Sequence, residues 1–344
     1  MVAAKIRLGG IKILEGRSHL ISSCRGGESA LPDICARLAA SRINLATLTH
    51  VADNGKRDAV TSVSTEGTEG FSSYFLMKLD QARGAVVRMQ SDVTILSIFP
   101  HDQKPQVTGA LLSFLGREGI RPQGLASSPS AMTILISAMD MEKVIDGLFE
   151  AFDFSAYRSP FDWHAAYRGK EQVFKEIICS YEEQVIKIYG VASQPDLDFW
   201  HMALPFSQLS RVGDALISFA GQGFKLPFLV GQSGPEMSLL MGFCLASGHR
   251  EQIRRILASH LPGVNLSRDD SVTVVSLHGP HFGDRYGIAY ALVKTLHDAA
   301  VQALAISCAV SSISLVVLTS ELERALQAIE SVFAVPSTRA GSDE

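Results

Sequence analysis

The chain has 344 residues, 47% of them hydrophobic, and its 31 basic and 35 acidic residues leave a formal charge of −4. That length suits roughly two to four compact units, and a near-neutral balance with no basic stripe argues against a nucleic-acid partner. Apolar runs such as residues 313–318 are too short to span a bilayer, Arg7, Lys12, Glu15 and Arg17 interrupt any signal-peptide core, and five widely spaced cysteines fit neither a disulfide framework nor a zinc site, so a cytoplasmic chain without a membrane partner is expected.

In chain order, the pattern predicts a short strand at 11–14, a strand at 19–23 and a helix at 31–40. Strands at 43–51 and 59–64 and a helix at 72–83 follow. Residues 93–99 alternate branched and polar side chains at period two, as a half-buried strand does. Pro105 can open a helix without wasting a donor, and Val107, Leu111, Phe114 and Leu115 then share one face. Gly119 ends that helix. Extended pieces at 124–127 and 132–137 precede a helix carried by Met141, Val144, Ile145, Leu148, Phe149 and Phe152. Residues 153–184 read as a connector, with Phe161, Trp163 and Tyr167 expected to pack onto a neighbouring unit. Beyond it come a short strand at 186–189, a helix at 204–220, strands at 224–230 and 237–246, and a helix at 249–260.

Internal repetition dominates the text. DVTILSI at 92–98 returns as SVTVVSL at 271–277, SAMTILIS as SSISLVVL, and VIDGLFEAF as ALQAIESVF. GIKIL at 10–14 returns as VIKIY at 185–189, 175 positions later, while Asp270 lies 178 after Asp92 and Phe333 lies 181 after Phe152. One large unit was duplicated whole.

No GxxxxGK[ST] phosphate loop and no serine–histidine–acid arrangement is present. His278-Gly-Pro-His281 with Asp284 carries metal-ligating side chains. Its counterpart, Pro100-His101-Asp102, holds one histidine, and a surface loop is the favoured reading. No metal and no cofactor are expected.

Residues 92–152 and 271–333 both resemble the second ACT domain of an aspartokinase regulatory region. Lys104-Pro105-Gln106-Val107 and Arg285-Tyr286-Gly287-Ile288 stand at that family's His-Pro-Gly-Val loop, and residues 125–129 and 306–310 stand at its Ile-Ser-Thr-Ser-Glu strand. Arg42-Ile43-Asn44-Leu45 is similar to the opening of the second strand in many ACT domains. The resemblance implies an α+β fold of four ACT-like (βαββαβ, ferredoxin-like) modules in two tandem pairs, at 10–88, 89–155, 185–264 and 268–336. Residues 156–184 would form a helical linker and 337–344 a disordered tail. In each pair a short strand, 10–14 or 185–190, would cross to complete the second module, and the two pairs would associate as an intrachain pseudo-dimer, compatible with a homodimer.

The family's kinase portion opens with Lys-Phe-Gly-Gly-Thr. Leu8-Gly9-Gly10-Ile11 lacks the lysine and the threonine, so the resemblance implies a chain that is not an enzyme and that carries the regulatory part only. It also implies an amino-acid effector held where modules meet, by Gly26, Gly27 and Ser29 in one half or Pro205 and Ser207 in the other. Ser127, Ser128 and Ser307 would contribute from facing strands. The family's Gln-Asn pair stands here as His50-Val51 and Gly231-Gln232. Two roles follow as expectations: an amino-acid-binding regulatory protein of aspartate-family metabolism, or a subunit docking on an aspartokinase-like enzyme with vestigial pockets.

Overall fold

The computed structural model describes residues 5–24, 29–53, 58–66, 86–167, 186–234, 238–279, 285–309 and 312–334. The helix expected at 72–83, most of the connector, and the tail lie outside them. In the first half the elements are β1 (Ile6–Leu8), β2 (Gly10–Cys24), α1 (Leu31–Ala40), β3 (Leu45–Asp53), β4 (Asp58–Glu66), β5 (Val86–Phe99), α2 (Pro105–Arg117), β6 (Gly124–Ser127), β7 (Met132–Ser137), α3 (Met141–Ala151), β8 (Phe152–Phe154) and α4 (Pro160–Tyr167). The second half runs β9 (Ile186–Lys187), β10 (Gly190–Pro205), α5 (Leu209–Gly221), β11 (Phe228–Ser233), β12 (Ser238–Ala246) and α6 (Arg250–His260). It continues with β13 (Leu266–His278), α7 (Ile288–Asp298), β14 (Ala305–Ala309), β15 (Ser312–Leu318), α8 (Leu322–Val332) and β16 (Phe333–Ala334). The fold mixes helices with a largely antiparallel sheet. Among the described residues no helix is long and apolar enough to cross a membrane.

Twelve of the described strands close into one ring, in the order β10-β12-β11-β6-β7-β5-β2-β4-β3-β14-β15-β13. Four long strands carry it. The sequence suggests separate strands at 11–14 and 19–23, but β2 runs unbroken through both, and β5 extends back from 93 to Val86. Along the β2–β5 ladder Ile11 faces Ile98 and Leu14 faces Ile95; beyond a register shift between Leu14 and Arg17, His19 faces Gln90. Gly16 and Asp92 take left-handed backbone there, and the second half repeats the device at Asp196 and Ser271. Such a bulge reverses which face the side chains occupy. Hence Ile13 packs into one outer core with α2, α3, α5 and α6, and Leu20 into the other with α1, α7 and α8. Each long strand belongs to both cores.

Three elements of the second half differ from their sequence reading. The helix expected at 204–220 begins only at Leu209, because Leu204 and Pro205 are still paired, with Leu239 and Ser238, at the end of β10. The strand expected at 224–230 begins at Phe228; Leu226 instead donates its backbone N–H to the Gln103 carbonyl at 2.8 Å. The crossing strand expected at 185–190 lies further on. Ile186–Lys187 pairs in parallel with Phe333–Ala334, as Ile6–Leu8 does with Phe152–Phe154, and it is Gly190 to Gln194 that lies against β13. The true repeat of Ile6-Arg7-Leu8 is therefore Ile186-Lys187-Ile188, an offset that agrees with the other landmarks. Matching GIKIL to VIKIY displaced it, since both are alternating apolar stretches that a pattern cannot tell apart.

Two junctions join the halves. Strand β3 pairs with β14 from Thr47↔Ala309 to Val51↔Ala305, and β6 pairs with β11 from Gly124↔Gln232 to Ala126↔Val230. These pairings cover edges that each half alone would leave open. Above each junction two helices pack side by side on the outer face, α1 with α7 and α2 with α5.

Candidate functional site

The two junctions meet across the inside of the ring through a cluster of buried polar side chains. Ser307 Oγ donates to the Ser127 carbonyl at 2.8 Å, and Ser127 Oγ accepts the Leu229 N–H at 2.6 Å. Thr49 Oγ1 lies 2.6 Å from Ser62 Oγ and donates to Gln232 Oε1 at 3.0 Å, while Gln232 Nε2 donates to the Val60 carbonyl at 2.7 Å. Ser127 and Ser307, equivalent positions in the two repeats, are thus brought together with each other. Their hydrogen bonds are spent on protein partners, and both side chains are buried. They fix the junctions' register; a ligand would have to displace those bonds. Ser128 closes a tight turn with Ala131, accepting its N–H at 3.0 Å.

The other predicted ligand residues fall at helix starts. Ser29 Oγ accepts the Leu31 N–H at 3.1 Å, a serine turn that leads into α1; Gly26 and Gly27 lie outside the described residues. Pro205 and Ser207 are exposed on the turn into α5. That helix start is packed against its neighbour: a Cβ on Gly116 of α2 would collide with the Ser210 backbone, so the two helices already touch there.

The equivalent place over the other junction is different. Between the last turn of α1 and the first turn of α7 lies a cavity of about 20 Å3 lined by Leu38, Ala39, Ile43, Ile288, Cys308 and Arg285. Gly287 caps α7 in the left-handed region at φ 84°, a conformation that a branched side chain resists. The first intrahelical bond of α7 runs from the Ala291 N–H to the Gly287 carbonyl, so the N–H groups of Ile288, Ala289 and Tyr290 precede the ladder. With the helix dipole they favour an anion, and aliphatic side chains form much of the rest of the wall. Burial pushes the Cys35 and Cys308 thiols up to about 12, which keeps both protonated. The sequence quotes Arg285-Tyr286-Gly287-Ile288 as a family motif without assigning it to a site; the loop and helix-start signal was there, but its juxtaposition with α1 is a long-range fact. His281 and Asp284, weighed as metal ligands, lie outside the described residues.

Among the described residues His19, His50, His101 and His201 are buried, and none of them lines this cavity. His19 Nδ1 lies 2.8 Å from Ser64 Oγ, His50 Nδ1 2.9 Å from Thr61 Oγ1, and His101 Nε2 2.9 Å from Thr108 Oγ1. Burial lowers all three to about 4. A folded-state value below the unfolded 6.5 means that the unfolded chain takes up protons first as pH falls. Stability is then full above about 6.5 and declines toward 4, by roughly 1–2 kcal/mol per histidine at pH 5. Thermal unfolding should show a lower midpoint at pH 5 than at pH 7, and His50→Asn should flatten that dependence; a midpoint level over this range would contradict it.

Residues 267–331 match the ACT domain family. No curated protein matches in sequence. Among solved structures, an aspartate kinase from Synechocystis is similar over 97% of this chain and 57% of its own length, with a TM-score of 0.72 and 13% identity. The regulatory subunit of aspartate kinase from Thermus thermophilus is similar over 42% of this chain and 97% of its own, with a TM-score of 0.38 and 16% identity. The first likeness overturns one expectation. A chain read as not an enzyme has, over nearly all its length, the fold of a protein that is an aspartate kinase, so its separation from the kinases does not stand. What the comparisons establish is an ACT domain at residues 267–331 within an aspartokinase-like fold that spans 57% of the Synechocystis chain.

Proposed function

We propose that this chain is an ACT-type regulatory unit tied to aspartate phosphorylation, built of four ACT-like modules in two interlocked pairs, and that it takes a free amino acid where α1 meets the start of α7. The carrying observation is the cavity there, with an anion-favouring helix start and an arginine on one side and an aliphatic wall on the other. The ACT match contains all of α7, and the likeness to an aspartate kinase suggests the activity that such a site would modulate. The α-carboxylate would meet the N–H groups of Ile288, Ala289 and Tyr290, and an aliphatic side chain would lie along Leu38 and Ile43. A volume of about 20 Å3 holds one water-sized group. Binding an amino acid therefore requires α1 and α7 to part, and a ligand that prefers the parted form shifts the population toward it.

The test is thermal unfolding in the presence of each of the twenty amino acids. A ligand held by the folded state at a hundred times its Kd stabilises by about 2.7 kcal/mol. Gly287→Val, which strains the turn beside the cavity, should remove that shift. If no amino acid raises the midpoint, the site is not an effector site. ATP-dependent aspartyl phosphate formation, with and without the amino acid that binds, reads the regulated activity itself. A second reading, docking on an aspartokinase-like enzyme, draws on the smallness of the cavity and the saturated serines; co-elution with such an enzyme, indifferent to amino acids, would favour it.

A further inference from the structure

The two helix seams over the junctions occupy equivalent places in the repeat, yet they are built in opposite ways. At α2–α5 the backbones touch: a Cβ on Gly109 would stand 2.7 Å from the Gly213 carbonyl, and one on Gly213 would stand 2.5 Å from the Gly109 carbonyl. Hydrogen bonds cross the same seam, from Ser113 Oγ to Asp214 Oδ1 at 3.0 Å and to the Ser210 carbonyl at 3.3 Å. Parting these helices would break bonds between half-buried groups and lose a close backbone contact, so sliding or opening is costly. At α1–α7 the contact is made by side chains, chiefly Leu38, Ala39, Ile288 and Ala289, and it already encloses a void. Atoms lining a void lack partners on one side, and less is lost when such a surface separates. Beneath it the β3–β14 pairing has five residue pairs against three for β6–β11, so the strands can stay zipped while the helices above them move.

We propose that α2–α5 is the fixed pivot of the ring and that α1–α7 is a joint which opens on its own, uncovering the cavity between Cys35 and Cys308. The inference extends the reading of that cavity but needs no ligand, so it is tested apart from amino-acid binding. Nature has placed reporters at the joint. Cys35 and Cys308 line it, whereas Cys244 is buried among Phe199, Phe228 and Val230 on the inner face of the ring. A buried thiol reacts only when it is exposed by opening or by unfolding, and global unfolding exposes all three alike.

The experiment treats the full chain with N-ethylmaleimide under native conditions and follows each cysteine by peptide mass spectrometry, alongside hydrogen exchange. Cys35 and Cys308 should label together, about tenfold or more faster than Cys244, and the first turn of α7 should exchange faster than the facing turns of α2 and α5. Ala39→Val, which sets two further methyl groups against the void, should slow both labelling rates. Labelling of Cys35 and Cys308 as slow as that of Cys244 would overturn the joint, as would amides of α2–α5 that exchange as fast as those of α1–α7. Neither result would touch the thermal-shift outcome, which reads ligand binding directly.

Discussion

Gly213→Ala is expected to lower stability by about 2–3 kcal/mol, although it adds one methyl group to a helix that would otherwise gain from it. The added Cβ meets the Gly109 carbonyl and the Ser113 backbone N–H, each at 2.5 Å, and backbone cannot swing aside as a long side chain can. Relief requires α2 and α5 to separate, which breaks the Ser113–Asp214 hydrogen bond and pulls on the β6–β11 junction. Gly221→Ala in the same helix is the control. Nothing lies within 4 Å of its Cβ, so the helix-propensity gain of about 0.5–1 kcal/mol should appear unopposed. Urea unfolding of the two variants beside the parent separates packing from propensity. Equal stabilities for the two would mean that the seam is not in close contact.

A fragment beginning at Asp92 and ending at Ala156 should show no cooperative unfolding at all. It retains the Asp92–Phe99 end of β5 with α2, β6, β7 and α3, but it lacks β1 and β2. The core around Leu96 and Leu111 then loses Leu8 and Ile13, and what is left of β5 loses its partner from Phe99 to Val93. The parallel pairing of Ile6–Leu8 with Phe152–Phe154 goes as well. What remains is a short sheet with open edges on both sides, which invites aggregation. Restoring residues 1–91 repairs β2 but still leaves β3 and β6 without β14 and β11. The whole first half should therefore purify as a self-paired dimer or precipitate, and light scattering distinguishes these from a monomer. A soluble, cooperative 92–156 monomer would refute the interlocking.

Much of this architecture was legible in the residues. Strands β6 and β7 and helices α2 and α3 follow from extended and helical spacing bounded by Pro105, Gly119 and turn formers, because those patterns report which face of a local element is apolar; β14 follows from the family resemblance of residues 306–310. The duplication was legible too, since DVTILSI and SVTVVSL occupy the same position in two copies. Periodicity is local, however, and each failure marks a long-range decision. The chain around Leu204 has helical spacing, but Leu239 and Ser238, more than thirty residues away, hold it in β10. The bulges at Gly16 and Asp196 let one strand serve two cores, and no pattern announces a strand that changes faces midway.

The candidate site divides in the same way. The amino-acid sequence pointed to the loops before α1 and α5 as ligand loops, because glycine, proline and helix starts are local chemistry, and it left the turn before α7 unassigned. Which helix start keeps space was decided by the neighbour. Gly116 and Gly213 let α2 close on α5 until backbone meets backbone, whereas Leu38 and Ala39 hold α1 off α7 and leave a cavity at Arg285 and Gly287. Ser127 and Ser307 were recognisable as equivalent residues, but only closure of the ring set one hydroxyl against the other's carbonyl and so turned a presumed ligand contact into a junction. Side-chain size and backbone freedom are written in the sequence; whether they add up to contact or to a void depends on which element arrives from the other half of the chain.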